Sequence, residues 1–257
     1  MNCAIGRHQK MRCSKPNFLG LGVQKGGTTS LYRLLNHHPD VFLPQWKELH
    51  YFSLHHGLGE AWYSDFFAKA KEEQCAGEIT PYYIFHPLAP GRIKALVPHV
   101  KLIVLLRDPV ERALSQLFHS MRLGLEPLDR DEALAAEAER LVDAEPVVIA
   151  GGRHSSHQEH SYLARSRYER QLARYESLFP REQLLLLRSE DLFLQPERVW
   201  VQVQDFLEIQ LLPLPPLPRA NAGGGESDAV PVSLRTSLRQ QLSCTYEVME
   251  RRYGLSW

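Results

Sequence analysis

The stretch GVQKGGTTSLYRLL, residues 22–35, constrains this 257-residue chain more than any other part of it. Ahead of it, the apolar run Phe18 to Val23 is short and bounded by glycine, the pattern of a strand buried on both faces in a parallel sheet. After it, Leu31, Leu34 and Leu35 share one face of a helix. Strand, glycine turn and helix in this order bring the unpaired N–H groups of a helix start to the carboxyl end of a strand, which is where a phosphate is held. Gly26 and Gly27 let the backbone approach an anion, Thr28 and Thr29 add hydroxyl donors, and Lys25 supplies a point charge. The plain alternative is a glycine turn that only packs. The loop is not the ATP-binding type, whose lysine follows the second glycine, because Lys25 precedes both. No clear metal-holding Asp follows a strand, so a nucleotide handled without a metal is expected.

The remainder of the chain alternates in the same way. Residues 76–83 (AGEITPYY) read as a short strand ending in a turn, VKLIVLLRDP (100–109) as a fully buried strand, and QLLLLRSEDL (183–192) as another, while KELHYF (47–52) reads as a strand or extended arm. Helical segments lie between them. Alternation of this kind predicts an α/β fold with a parallel sheet and helices on both faces, its ligand site built from the turns after Val23, Leu106 and Phe52. Residues 1–16 read as a loose leader and 17–257 as a single domain. The polar, alanine-rich helix DRDEALAAEAERLVDAE (129–145) and the glycine-containing link after it read as a lid spanning 124–160. A proline- and glycine-rich stretch over 211–225 is irregular, and one last helix is expected at about 233–253.

Thirty basic residues balance thirty acidic ones, so global charge draws the chain to neither nucleic acid nor an anionic membrane, and any anion site must be local. Four cysteines, Cys3, Cys13, Cys75 and Cys244, form no CxxC pair and read as reduced thiols. His154, His157 and His160 resemble metal spacing only superficially, and no metal site is expected. No signal for secretion and no apolar run of about 18 residues is present, which predicts a cytoplasmic protein, although a catalytic domain cut from a larger or anchored protein would read the same. Oligomeric state is not legible.

A second anion site is expected at the end of the 100–106 strand. Arg107 stands at its carboxyl end and Ser115 eight residues on, two turns into the following helix, so both can face one phosphate. Alternatively Arg107 pairs with Asp108 or Glu111 while Ser115 caps or packs. His119 and Arg122, one turn apart on the same helix, line an acceptor pocket or are simply solvated.

Taken together, GVQKGGTTSL, KELHYF, GEITPYY and LRDPVERALSQ resemble the superfamily of sulfotransferases that use 3'-phosphoadenosine 5'-phosphosulfate (PAPS), in particular the branch of glycan and bacterial secondary-metabolism enzymes. The likeness extends over roughly residues 18–207, through SRYERQLARYESLFP and RSEDLFLQP. It implies a P-loop-like α/β fold, no metal requirement, and transfer of a sulfuryl group from PAPS to a small-molecule or carrier-bound hydroxyl, leaving 3'-phosphoadenosine 5'-phosphate (PAP). Carried over, Lys25, Gly26, Gly27, Thr28, Thr29 and Ser30 meet the 5'-phosphosulfate, and Arg107 and Ser115 the 3'-phosphate. Heparan-type relatives close a Lys-Gly-Arg loop over the cofactor; this chain offers Arg219 with Asn221 and Gly223 to Gly225, so Arg219 is the expected counterpart.

The reaction needs a base for the acceptor hydroxyl and cations where charge builds up. Glu48 and His50 are two apart and share a face if the arm is extended. In the resembled branch the Glu is the base, whereas the cytosolic steroid and phenol branch uses a His. Glu48 is therefore expected as base, with His50 orienting it or donating to the sulfuryl oxygens, and Lys25 following the departing oxygen. The alternative for Glu48 is a surface ion pair with Lys47. Glu78 matches an acidic position near the acceptor, and Ile79 stands where heparan-modifying relatives carry Lys, which weakens the case for a polyanionic acceptor. Two other readings stay open, a P-loop kinase of a small hydroxyl compound and a nucleotide-binding module without chemistry.

Overall fold

A computed structural model describes residues 15–216 and 229–257. Five parallel strands form one sheet in the order β2-β3-β1-β4-β5: β1 (Phe18–Gly22), β2 (Val41–Phe42), β3 (Cys75–Ile79), β4 (Lys101–Leu106) and β5 (Leu184–Arg188). All five residues of β1 are buried, as are Leu102 to Leu106 of β4, which fits continuous apolar runs covered on both faces. One face packs under α3 (Ala89–Leu96) and α8 (Tyr168–Glu176), with Leu19, Leu21, Leu102, Val104, Leu106, Ile93, Leu172 and Tyr175 in one cluster. The other packs under α1 (Thr28–Asn36) and α10 (Pro196–Leu207), where Ile103, Leu105 and Leu187 meet Leu31, Leu34, Val199 and Trp200.

A third cluster lies beyond the strand ends and joins α4 (Pro109–Arg122), α5 (Arg130–Arg140) and α11 (Val232–Gln241) through Ala113, Leu117, Ala133, Tyr162, Leu163 and Leu238. Shorter helices α2 (Gly59–Asp65), α6 (Ala144–Ile149), α7 (Ser155–Glu159) and α9 (Ser189–Leu194) connect these layers. The last helix expected at 233–253 is two, α11 and α12 (Ser243–Tyr253), separated at Leu242, which is fully buried in the third cluster. The edge strand β2 carries no signal in the sequence, because two residues are too few to show a period.

Helix α5 is tied down along its length. Its N-terminus is a capping box of Asp129 and Glu132, and buried Glu137 accepts the backbone N–H groups of Leu163 and Ala164 at 2.8 Å each. Arg140 pairs with Glu126 at 2.6 Å, and Tyr162 donates to the same carboxylate at 2.7 Å. The solvated look of this helix in the sequence comes from its outer face; the inner one carries a full set of polar anchors. Among the described residues no helix is long and apolar enough to cross a membrane.

Candidate active site

The turn after β1 is the first wall of the site. Gly26 N–H donates to Val23 O at 3.0 Å, closing a four-residue turn with Gln24 and Lys25 at its corners, and Lys25 is left-handed at φ 69°. A Cβ on Gly26 would lie 2.6 Å from Leu105 O, so only glycine lets the turn sit against β4. Gly27, at φ 90°, caps α1 without a side-chain bond, and no acidic residue occupies the first turn. The cap carbonyl takes the N–H of Ser30 and Leu31, which leaves the Thr28 and Thr29 amides facing outward at the positive end of the helix, the cradle a phosphate fits.

Cations gather around this cradle. Burial, with Arg122 and Arg107 nearby, lowers the Lys25 ammonium below its usual range, and His119 is lowered by burial and by Lys25 and Arg122. Lys25, Arg107, His119 and Arg122 are thus brought together. Arg107 does not pair with its acidic neighbours: Asp108 caps α4 through Glu111 N at 2.9 Å and accepts from Tyr246 Oη, and Glu111 binds Arg235 at 2.7 Å. Its guanidinium instead donates to Lys25 O at 3.3 Å, tying the β4 end to the phosphate turn. Ser115 is half-buried on α4, and Ser30 is buried in the first turn of α1. Arg219 lies outside the described residues.

The arm from 47 to 52 is neither a strand nor extended. Glu48 (φ 63°) and His50 (φ 54°) both occupy the left-handed region that side chains seldom adopt, and Leu49 between them is buried in the core. This kink, not a shared strand face, brings His50 Nε2 to 3.7 Å from Glu48 Oε2. Burial pushes the Glu48 carboxyl up, but His50 and Lys47 outweigh it and hold it below the usual carboxylate range. Two left-handed side chains in three residues are a strained backbone of the kind that clusters at functional sites.

Lys47 is the residue the sequence reading missed. It was weighed only as a partner for Glu48, at 3.3 Å, but its Nζ also donates to Thr29 Oγ1 at 3.0 Å and so joins arm to phosphate turn. No spacing rule flags this, since the arm is kinked. Glu78 is buried, 2 % exposed, and its oxygens accept from Tyr63, Thr80 and Tyr83 at 3.0, 2.6 and 2.7 Å. Burial raises its pKa against the opposing pull of those bonds. It braces the arm from below, because Thr80 Oγ1 also receives His50 N–H at 3.4 Å. Ile79 packs in the core under α1, 1 % exposed.

His154, His157 and His160 form no metal group, and none exists among the described residues. His154 caps α7, buried His157 shares a 2.7 Å bond with Tyr82 Oη and is lowered to about 3 by burial and Arg165, and His160 bonds Ser156 and Leu125 O.

A glycine turn at the carboxyl end of β1, an arginine at the end of β4 and a kinked arm carrying Glu48 and His50 stand at one end of a parallel α/β sheet. Comparison gives the family. The sequence profile "Sulfotransferase domain" matches residues 15–218, and the chain belongs to the PAPS-dependent sulfotransferase superfamily. The crystal structure of a sulfotransferase from Alicyclobacillus acidocaldarius superposes with a TM-score of 0.79 at 26 % identity, covering 95 % of this chain and 97 % of that one. Human heparan sulfate glucosamine 3-O-sulfotransferase 3B1 is 36 % identical over 148 residues, 56 % of this chain and 37 % of the relative. Membrane-associated sulfotransferase kil1 of Dictyostelium discoideum is 38 % identical over 124 residues, 47 % of this chain and 26 % of the relative. The matched part thus spans well under half the length of the human and Dictyostelium relatives. Membership of this family does not favour the kinase or the non-catalytic module.

Proposed function

We propose that this enzyme transfers the sulfuryl group of PAPS to an acceptor hydroxyl by in-line displacement, with Glu48 as general base. The observation that carries this reading is the Glu48–Lys47–Thr29 chain of contacts, which sets a carboxylate held in its ionised form one lysine away from the phosphate cradle. The acceptor oxygen attacks sulfur, its proton passes to Glu48, and the bond from sulfur to the 5'-phosphate oxygen breaks with its electron pair on that oxygen, beside Lys25. Thr28 and Thr29 amides with Lys25 receive the 5'-phosphosulfate, and Arg107 with Ser115 the 3'-phosphate. A metal is not required, since Lys25, Lys47 and Arg107 supply the positive charge the departing PAP needs. His50 orients Glu48, and Glu78 acts through Thr80 as a positioning residue. Ile79 in the core leaves no cation at the place where heparan-modifying relatives carry Lys, which favours a small-molecule or carrier-bound acceptor of low charge. Residues 141–153 serve as the moving part of the lid, between α5 and the anchored helix α7.

Single-turnover transfer at saturating donor tests the base. Glu48→Gln keeps the shape and removes the proton acceptor, so the chemical step slows by roughly 10² to 10⁴ fold, and His50→Ala adds little in the double variant. A near-normal rate in Glu48→Gln beside a dead His50→Ala would give the base role to His50.

A further inference from the structure

Arg165 is buried, 5 % exposed, and takes no part in the chemistry above. Four of the five N–H donors of its guanidinium are engaged: Nε donates to Ser161 Oγ at 2.8 Å, Nη2 to the carbonyls of His157 at 3.1 Å and Gln158 at 2.5 Å, and Nη1 to Gln24 Oε1 at 2.7 Å. Its plane lies over the rings of Tyr82 and Phe85, 4.9 and 5.1 Å from their centroids. Ser161 Oγ in turn donates to His157 O, and Tyr82 Oη bonds His157 Nδ1, so little freedom is left in the group.

The consequence falls on Gln24. An arginine has donors only, so the side of the Gln24 amide that faces it must be the oxygen. That fixes which way the amide is flipped, and the NH₂ is turned to the opposite side. Gln24 is half-buried, its NH₂ donates to no acceptor among the described residues, and it occupies the corner of the phosphate turn next to Lys25. Tyr82, under the Arg165 plane, has its ring 6.1 Å from that of His50 on the catalytic arm. Gln24 therefore stands between the Arg165 clasp and the space bounded by Lys25 and the arm.

We propose that Gln24 is a further substrate-binding residue, donating from its fixed NH₂ to a sulfuryl oxygen of the donor, and that Arg165 is the positioning residue that sets the amide. The inference rests on the donor reading given above. A neutral donor there fits a group that carries one negative charge spread over three oxygens before transfer and must leave the enzyme afterwards as a sulfate ester. It also separates the two nucleotides chemically, because PAP has every phosphate of PAPS but no sulfuryl group.

Calorimetric titration with PAPS and with PAP tests this without an acceptor. For Gln24→Ala, PAPS affinity falls roughly 10- to 100-fold, the size of one hydrogen bond to a charged group, while PAP affinity changes less than about twofold. Gln24→Glu keeps the bond to Arg165 but presents a carboxylate oxygen instead of NH₂, and weakens PAPS further with PAP binding again below that of PAPS in sensitivity. Arg165→Met frees the amide to flip and shows the same PAPS-selective loss at smaller size, with Arg165→Lys restoring part of it; should Arg165→Met fail to fold, the two Gln24 variants decide the matter alone. Equal weakening of both nucleotides would make Gln24 a structural corner of the turn, and no weakening of PAPS would remove it from the site; either overturns the inference while leaving the donor assignment standing. A wild-type protein that binds neither nucleotide would overturn the donor assignment and this inference with it.

Discussion

Arg107→Ala separates the two things that Arg107 does. In the structure its guanidinium donates to Lys25 O at 3.3 Å, so the side chain ties down the phosphate turn even before a nucleotide arrives. A hydrogen bond between neutral protein groups contributes about 0.5–1.5 kcal/mol, and one to a charged group about 1.5–3 kcal/mol. For PAP, whose 3'-phosphate engages the remaining donors, both are lost, a sum of about 2–4.5 kcal/mol or roughly 30- to 1,500-fold in dissociation constant. For adenosine 5'-phosphosulfate, which lacks the 3'-phosphate, only the turn contribution is lost, about 2- to 12-fold. Calorimetry with the two ligands on wild type and variant measures the difference directly. Arg107→Lys falls between, since it keeps the charge and loses the fork. Equal losses for the two ligands would refute the 3'-phosphate assignment and leave Arg107 as a tie for the turn alone.

Three further outcomes are expected. Because Lys47 and His50 hold the Glu48 carboxyl below its usual range, the acid limb of the rate profile lies below the ordinary Glu value of 4.5, and activity is lost only as pH falls through that lowered pKa; Lys47→Met moves the limb upward, which a pH series of single-turnover rates reads. Glu126, held at about 2 against its usual 4.5 by Arg140 and Tyr162 in spite of burial, contributes stability that is fully present above pH 4.5 and is lost as pH falls toward about 2; Glu126→Gln costs about 1.5–3 kcal/mol in urea titration at pH 7 and flattens that acid dependence. Hydrogen exchange over 141–153 slows when PAP and acceptor are both bound, whereas α5, anchored through Glu137 and Arg140, is protected throughout; full protection of 141–153 in the free enzyme would contradict the lid.

The sheet was legible in the sequence because a parallel strand covered on both faces must be continuously apolar, and FLGLG, KLIVLL and LLLLR are. The turn after β1 was legible in outline because Gly26 and Gly27 separate an apolar strand from an amphipathic helix. The arm was legible in its residues but not in its shape: Glu48 and His50 do meet, yet through two left-handed residues that no period announces. Lys47, Gln24 and Arg165 were not legible, since each acquires its place from a partner between 18 and 141 residues away. The burial of Glu78 was not legible either, since Tyr63, which donates to it, comes from α2, 15 residues earlier.

The turn that carries Arg107 is clamped from the far end of the chain. Asp108 accepts from Tyr246 Oη and lies 3.6 Å from Arg239, while its own N–H donates to Glu190, whose other oxygen takes the indole N–H of Trp257 at 2.8 Å. Arg239 closes the loop by donating to Trp257 O at 2.7 Å. All five strands are complete by residue 188, some seventy residues before this clamp exists. On the ribosome, then, the sheet and its phosphate turn can assemble early, but the end of β4 gains its rigidity only after α12 emerges. Loss of α12 and Trp257 would therefore leave the whole sheet in place while slackening the turn that carries Arg107.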